Sequence, residues 1–223
     1  MSNQTTPEAT KSLSPFWRFI NGVPDLFIAG SFLLLWISPF ALGPDGVKRH
    51  LMIMLLEFIV IHSAVFMGAA GLGTKSFSAR LAAVGGFGVF YSAFVLGFSL
   101  AFHTWWPLIG FWGLTLNRLI SYTIAGKTSP EQTKGMMRAW GANCVFYVIG
   151  CFLTVLVPLP KLGLTGGVVG SLHLPGKGLW ISEPHRVIAF GFIYFAAQAT
   201  FELLSNPGSN RLGGTPGSNP VKG

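Results

Sequence analysis

In a chain this apolar, few residues can do chemistry. The stretch "LLEFIVIH", Leu55 to His62, carries a carboxylate and an imidazole inside a long hydrophobic run. A second run holds Asn117 and Arg118, and further runs hold Tyr91, Tyr147 and Gln198. Ionisable side chains inside a membrane span are costly, on the order of 3 kcal/mol each, so they are candidates for function. At 1.5 Å of rise per residue, Glu57 lies about 10 Å, His62 and Gln198 about 18 Å, and Arg118 about 16 Å into their helices. Side chains lean toward their own helix N-terminus, which brings Arg118 toward the level of Glu57. The expectation is a Glu57–Arg118 ion pair between the second and fourth spans. His62 lies about 140° around the helix from Glu57 and is expected on another seam, near Gln198 or Tyr91. Glu57, His62, Tyr91, Asn117, Arg118, Tyr147 and Gln198 thus form an expected intramembrane polar layer.

Such a layer can hold helices together or relay protons and ions, and the structural role is the first expectation. Arg118 has another option, snorkelling to lipid phosphates with Lys127 behind it. His62 has a further chemistry. Its neutral ring can ligate haem iron or the magnesium of a chlorophyll-type pigment, and "SAVFMGAAGLG" after it leaves room for a flat macrocycle. No second histidine matches its depth, and no C-x-x-C-H motif offers covalent haem attachment. No metal site is expected.

The elements that position these residues follow from hydropathy. Of 223 residues, 51% are hydrophobic and 10% charged, against about 25% charged in soluble domains. Mean hydropathy is +0.57. Several continuous apolar stretches reach the roughly 20 residues needed to cross a bilayer. The expected fold is all-α, a polytopic integral membrane helical bundle of about six transmembrane helices. The expected spans are about 24–42, 50–71, 81–102, 107–124, 136–157 and 186–204. Residues 1–13 are read as a flexible cytoplasmic N-terminus and 14–204 as one transmembrane domain. Within it, "SPFWRFING" at 14–22 reads as a separate short interfacial helix, ended by Asn21-Gly22. "TSPEQ" caps the fifth helix, with Ser129 as cap and Pro130 first; "SEPHR" opens the sixth at Pro184. Trp105 and Trp106 belong to an interfacial aromatic belt. The loop 158–185 is Gly- and Leu-rich and reads as a short β-hairpin or a segment folded onto the membrane surface. Residues 205–223 are a Gly/Ser/Asn/Pro-rich tail of disordered composition.

Lys and Arg are denser on the side carrying both termini, which places the termini in the cytoplasm and the 158–185 loop outside. In a bacterium the location is the inner membrane. The net charge of +8 is spread over loops and does not point to nucleic acid. No secretory signal pattern opens the chain. Cys144 and Cys151, seven apart, sit about 10 Å apart on one helix and are read as buried thiols, too distant for a disulfide.

The chain has no phosphate-binding G-x-x-x-x-G-K-[ST] loop, no H-E-x-x-H and no G-x-S-x-G. The sequence reading is therefore a non-enzymatic accessory or scaffold subunit of a larger membrane complex, surrounded by bound lipid and other subunits. The alternatives are a small ion, proton or solute transporter using Glu57, His62 and Arg118, and a haem- or pigment-binding subunit built on His62.

Overall fold

The computed structural model describes residues 15–73, 76–124 and 130–204; the N-terminal segment, Ser129, Lys127 and the 205–223 tail lie outside them. The described residues are helical, with no strand. Six long helices, α1 (Pro15–Ile37), α2 (Gly46–Gly73), α3 (Phe77–Ala101), α4 (Trp106–Ile124), α5 (Pro130–Leu156) and α8 (Pro184–Leu204), are joined by two short ones, α6 (Gly166–Ser171) and α7 (Leu179–Ser182). Among the described residues three segments are long and apolar enough to cross a membrane: Gly46–Gly71, Phe77–Ala101 and Pro184–Leu204. Gly22–Ile37 and Trp140–Leu156 are shorter apolar helices. Phe27, Ile109, Phe152 and Leu156 all turn more than 60% of their surface outward. An outer surface this apolar is compatible with lipid, whereas water-soluble monomers rarely expose it.

The structure corrects three expectations. The interfacial helix is not separate: α1 runs unbroken from Pro15 through Asn21-Gly22 and Pro24. Proline removes one backbone bond but does not end a helix whose neighbour supports it. That neighbour is α8, which comes close enough that a Cβ on Gly22 would sit 3.3 Å from Leu203. The same helix stops at Ile37 rather than 42, where Ser38-Pro39 begins a chain of turns. Of the two readings of the 158–185 loop, the β-hairpin is not met: the loop has no strand and forms α6 and α7. Both anticipated openings hold, since α5 starts at Pro130 and α8 at Pro184.

The core is built where the first and last long helices pair antiparallel. Phe32, Leu35, Val187, Ile188, Phe190 and Tyr194 are fully buried there. The Phe32 ring lies over the Gly191 backbone and is held by Phe195, 5.7 Å away, and His50, 4.7 Å away. A second cluster joins α2 to the α3–α4 hairpin. Val84, Gly88, Tyr91, Val95 and Ser99 are the buried face of α3, a spacing that keeps to one side of a helix. The hairpin turns on a Schellman motif: Thr104 N–H donates to Ser99 O at 2.9 Å and His103 N–H to Leu100 O at 3.2 Å. His103 therefore takes a left-handed φ of 53°, at the position glycine usually fills. The conformation costs a non-glycine residue about 1 kcal/mol.

The long loop is fastened to the bundle at two points. Trp36 Nε1–H donates to Pro160 O at 2.9 Å, and Gly163 N–H donates to Trp36 O at 3.0 Å. Arg186 at the start of α8 donates to Thr154 O at 2.8 Å and Val155 O at 3.2 Å, so a cation meets the negative C-terminal end of α5. Its Nε also bonds the Glu183 carboxylate. That bond, with the charges of Arg186, His185 and Lys161, holds the Glu183 carboxyl below its ordinary 4.5. A lowered folded value means the contribution is complete above the ordinary value and is lost as pH falls through the folded one. Acidifying the purified protein from about pH 5 to about pH 3 should therefore lower its thermal midpoint less in Glu183→Gln than in the wild type. The difference is expected to be small, because the pair is solvent-screened.

Candidate functional site

The polar layer converges on α2, but not in the pairs expected. Glu57 is met from α8: Tyr194 Oη–H donates to Glu57 Oε1 at 2.7 Å. The buried Gln198, one turn further along α8, acts on the same carboxylate. The spacing of Tyr194 and Gln198, four residues apart on one helix face, was the readable signal for this partner.

Arg118 reaches α2 at a different level. Its Nη1 donates to Ser63 Oγ at 3.1 Å and its Nη2 to Val60 O at 3.1 Å, with Met67 Sδ 3.8 Å away. Ser63, fully buried, donates its own O–H to Val60 O at 3.0 Å. The expected Glu57–Arg118 ion pair is not made within 4.0 Å; the ion pairs among the described residues belong to Glu183. The reason is height. Glu57 and Ser63 are six residues apart on α2, about 9 Å along the axis. Arg118 finds a hydroxyl and a carbonyl before it finds the carboxylate. Its charge still acts on Glu57.

Between the two charges lies a cavity of about 160 Å³, lined by Glu57, Val60, Ala64, Arg118, Trp140 and Asn143. α2 forms its floor, with Arg118 of α4 and Trp140 and Asn143 of α5 as walls. Trp140 and Asn143 were not anticipated, since one amide in an apolar helix has no distinguishing pattern. Trp140 is placed by Gly68, where a Cβ would sit 2.1 Å from the indole. The space is large enough for several waters or a solute of a few heavy atoms, and it offers them a carboxylate, a guanidinium and an amide.

The other members of the layer have separate surroundings. Tyr147 is buried and donates to Met54 O at 2.9 Å, with its ring 5.5 Å from Tyr194. Tyr91 belongs to the α2–α3–α4 cluster. Asn117 is exposed and does not line the cavity. His62 meets neither Gln198 nor Tyr91. Its Nδ1–H donates to Phe58 O at 2.8 Å and its ring packs on Phe58 at 4.1 Å. That bond leaves Nε2 with the lone pair, the tautomer an axial ligand needs. His50, at the start of α2, is buried: Nδ1–H donates to Gly46 O at 2.9 Å, and Nε2 lies 2.8 Å from Ser31 Oγ of α1. Among the described residues no group of three His, Cys, Asp or Glu could hold a metal ion. Comparison with protein-family models, curated proteins and solved structures finds no match to this chain.

Proposed function

We propose that this is a multi-pass integral membrane protein, crossing six times with both termini cytoplasmic, and that its central cavity carries a proton or a small polar solute. One observation carries the reading: Glu57 and Arg118 line one cavity instead of neutralising each other in contact. A closed ion pair is glue, whereas opposite charges held around a space large enough for water can accept and release a charged or protonated species. In this reading Glu57 is the group that exchanges with the cargo, Tyr194 orients it, and Arg118 supplies the balancing charge. In proteoliposomes loaded with a pH-sensitive dye, Glu57→Gln should reduce proton flux at least about tenfold, the scale of a transport group lost. The thermal midpoint of the variant should stay close to that of the wild type. Equal flux in both proteins sinks the reading.

A second reading, the accessory subunit, draws support from α3. Ala93, Gly97 and Ala101 form a small-residue stripe on its exposed side, and a Cβ at Gly97 would meet nothing within 4 Å. Such stripes admit a close partner helix. Under that reading the gently extracted protein runs as a large assembly and shows no flux of its own.

A further inference from the structure

The end of the bundle where α2 begins and the α3–α4 hairpin turns holds a second cavity, of about 240 Å³. Lys48, Arg49, His103, Thr104 and Trp106 line it, together with Asp45. We propose that this cavity binds a phosphate group at the membrane surface, as carried by an anionic lipid headgroup or by free phosphate.

The donors have the character a tetrahedral oxyanion requires. Residues that carry an ammonium, a guanidinium, an imidazole and a hydroxyl line one space, and Asp45 is the one carboxylate among its lining residues. Among the described residues the two cations are not spent in ion pairs: no carboxylate there lies within 4.0 Å of Lys48 or Arg49, since both ion pairs use Glu183. Arg49 gives one N–H to Leu42 O at 2.6 Å, a contact that fixes its guanidinium beside the cavity. Two unneutralised cations in adjacent positions repel each other, and a bound anion removes that repulsion.

Two further observations point to the same place. His103, one of the lining residues, occupies the left-handed position of the Schellman turn. Glycine would relieve that backbone but would take the imidazole away from the cavity. Trp105 and Trp106 stand partly exposed at the same turn, and the indole is the side chain that settles at headgroup level. The mouth of the cavity therefore lies where lipid phosphates are. This site is independent of what the central cavity carries.

The test is native mass spectrometry of the full chain, stripped of lipid in detergent. It is titrated with dioleoylphosphatidylglycerol, with the matching diacylglycerol that lacks the phosphate, and with inorganic phosphate as competitor. The wild type should take the phospholipid at least about tenfold more tightly than the diacylglycerol, the value of one charge-assisted contact. Lys48→Gln/Arg49→Gln should abolish that preference, and Arg138→Gln, near the opposite end of the bundle, should keep it. Lys48→Gln alone preserves the Arg49–Leu42 contact and decides the matter if the double variant does not fold. His103→Gly should raise the thermal midpoint while weakening the phospholipid, a split that a purely structural role would not produce. Displacement by millimolar phosphate assigns the site to the free ion; resistance assigns it to the lipid. Equal occupancy by phospholipid and diacylglycerol, or an unchanged preference in the lysine and arginine variants, overturns the proposal.

Discussion

Gly191→Ala is expected to destabilise the protein by about 1–3 kcal/mol, the range for overpacking a filled core. It should lower the thermal midpoint in detergent without changing helix content. An added Cβ would lie 2.2 Å from Phe32 Cε1 and 2.5 Å from its Cζ. Phenyl rings can often turn aside, but this one cannot. It is fully buried, flanked by Phe195 on one side and by the His50 ring on the other, and His50 is itself tied to Gly46 and Ser31. The strain must then separate α1 from α8, which opens the main core. Gly30→Ala is the control on the opposing helix, because nothing lies within 4 Å of its Cβ position. It should leave the midpoint unchanged or raise it. A fall of equal size in both variants would show that the loss of helix flexibility matters and the Phe32 contact does not.

Arg118→Leu is expected to cost about 2 kcal/mol, less than the 3–5 kcal/mol of a broken contact pair because the two charges are separated by the cavity. The loss has two parts. Ser63 Oγ and Val60 O lose a charged donor, and Glu57 loses the cation that faces it across the cavity. Glu57→Gln removes the second part while keeping an oxygen for Tyr194 Oη–H to meet. The double variant Arg118→Leu/Glu57→Gln should therefore be more stable than Arg118→Leu alone, a direct measure of coupling across the cavity. Midpoints in detergent for all four proteins close the cycle. Additive losses would mean the two charges do not sense each other, and the transport reading would lose the balancing role given to Arg118.

Architecture was more legible than partnership. Long apolar runs and proline punctuation located the six long helices, because hydropathy and the missing N–H of proline act locally. Asn21-Gly22 was misread as a helix end for the opposite reason: whether a glycine ends a helix depends on the neighbour, here Leu203 of α8, which packs against Gly22 from far along the chain. The same limit governs the site. Glu57, Arg118 and Gln198 do meet around α2, and depth alone brought them to similar levels. Depth carries no information about rotation, however. Rotation assigned Glu57 to Tyr194 and His62 to the carbonyl of its own helix, while a height difference of about 9 Å along α2 gave Arg118 to Ser63. The glycines that set those rotations, Gly68 under Trp140 and Gly191 under Phe32, look like any others in a chain with 29 of them.

The pairing of α1 with α8 also fixes an order of events during synthesis. Phe32 and Leu35 leave the ribosome about 150 residues before Val187 and Phe190, the side chains that bury them, which gives the main core a high contact order. The α3–α4 hairpin closes on α2 from neighbouring sequence and needs no such wait. The nascent protein therefore holds an early-formed half beside an open seam on α1, and that seam stays unsealed until the last helix arrives. A chain cut short before Pro184 keeps its hairpin and lacks its core, so the 21-residue α8 is the element that seals the bundle.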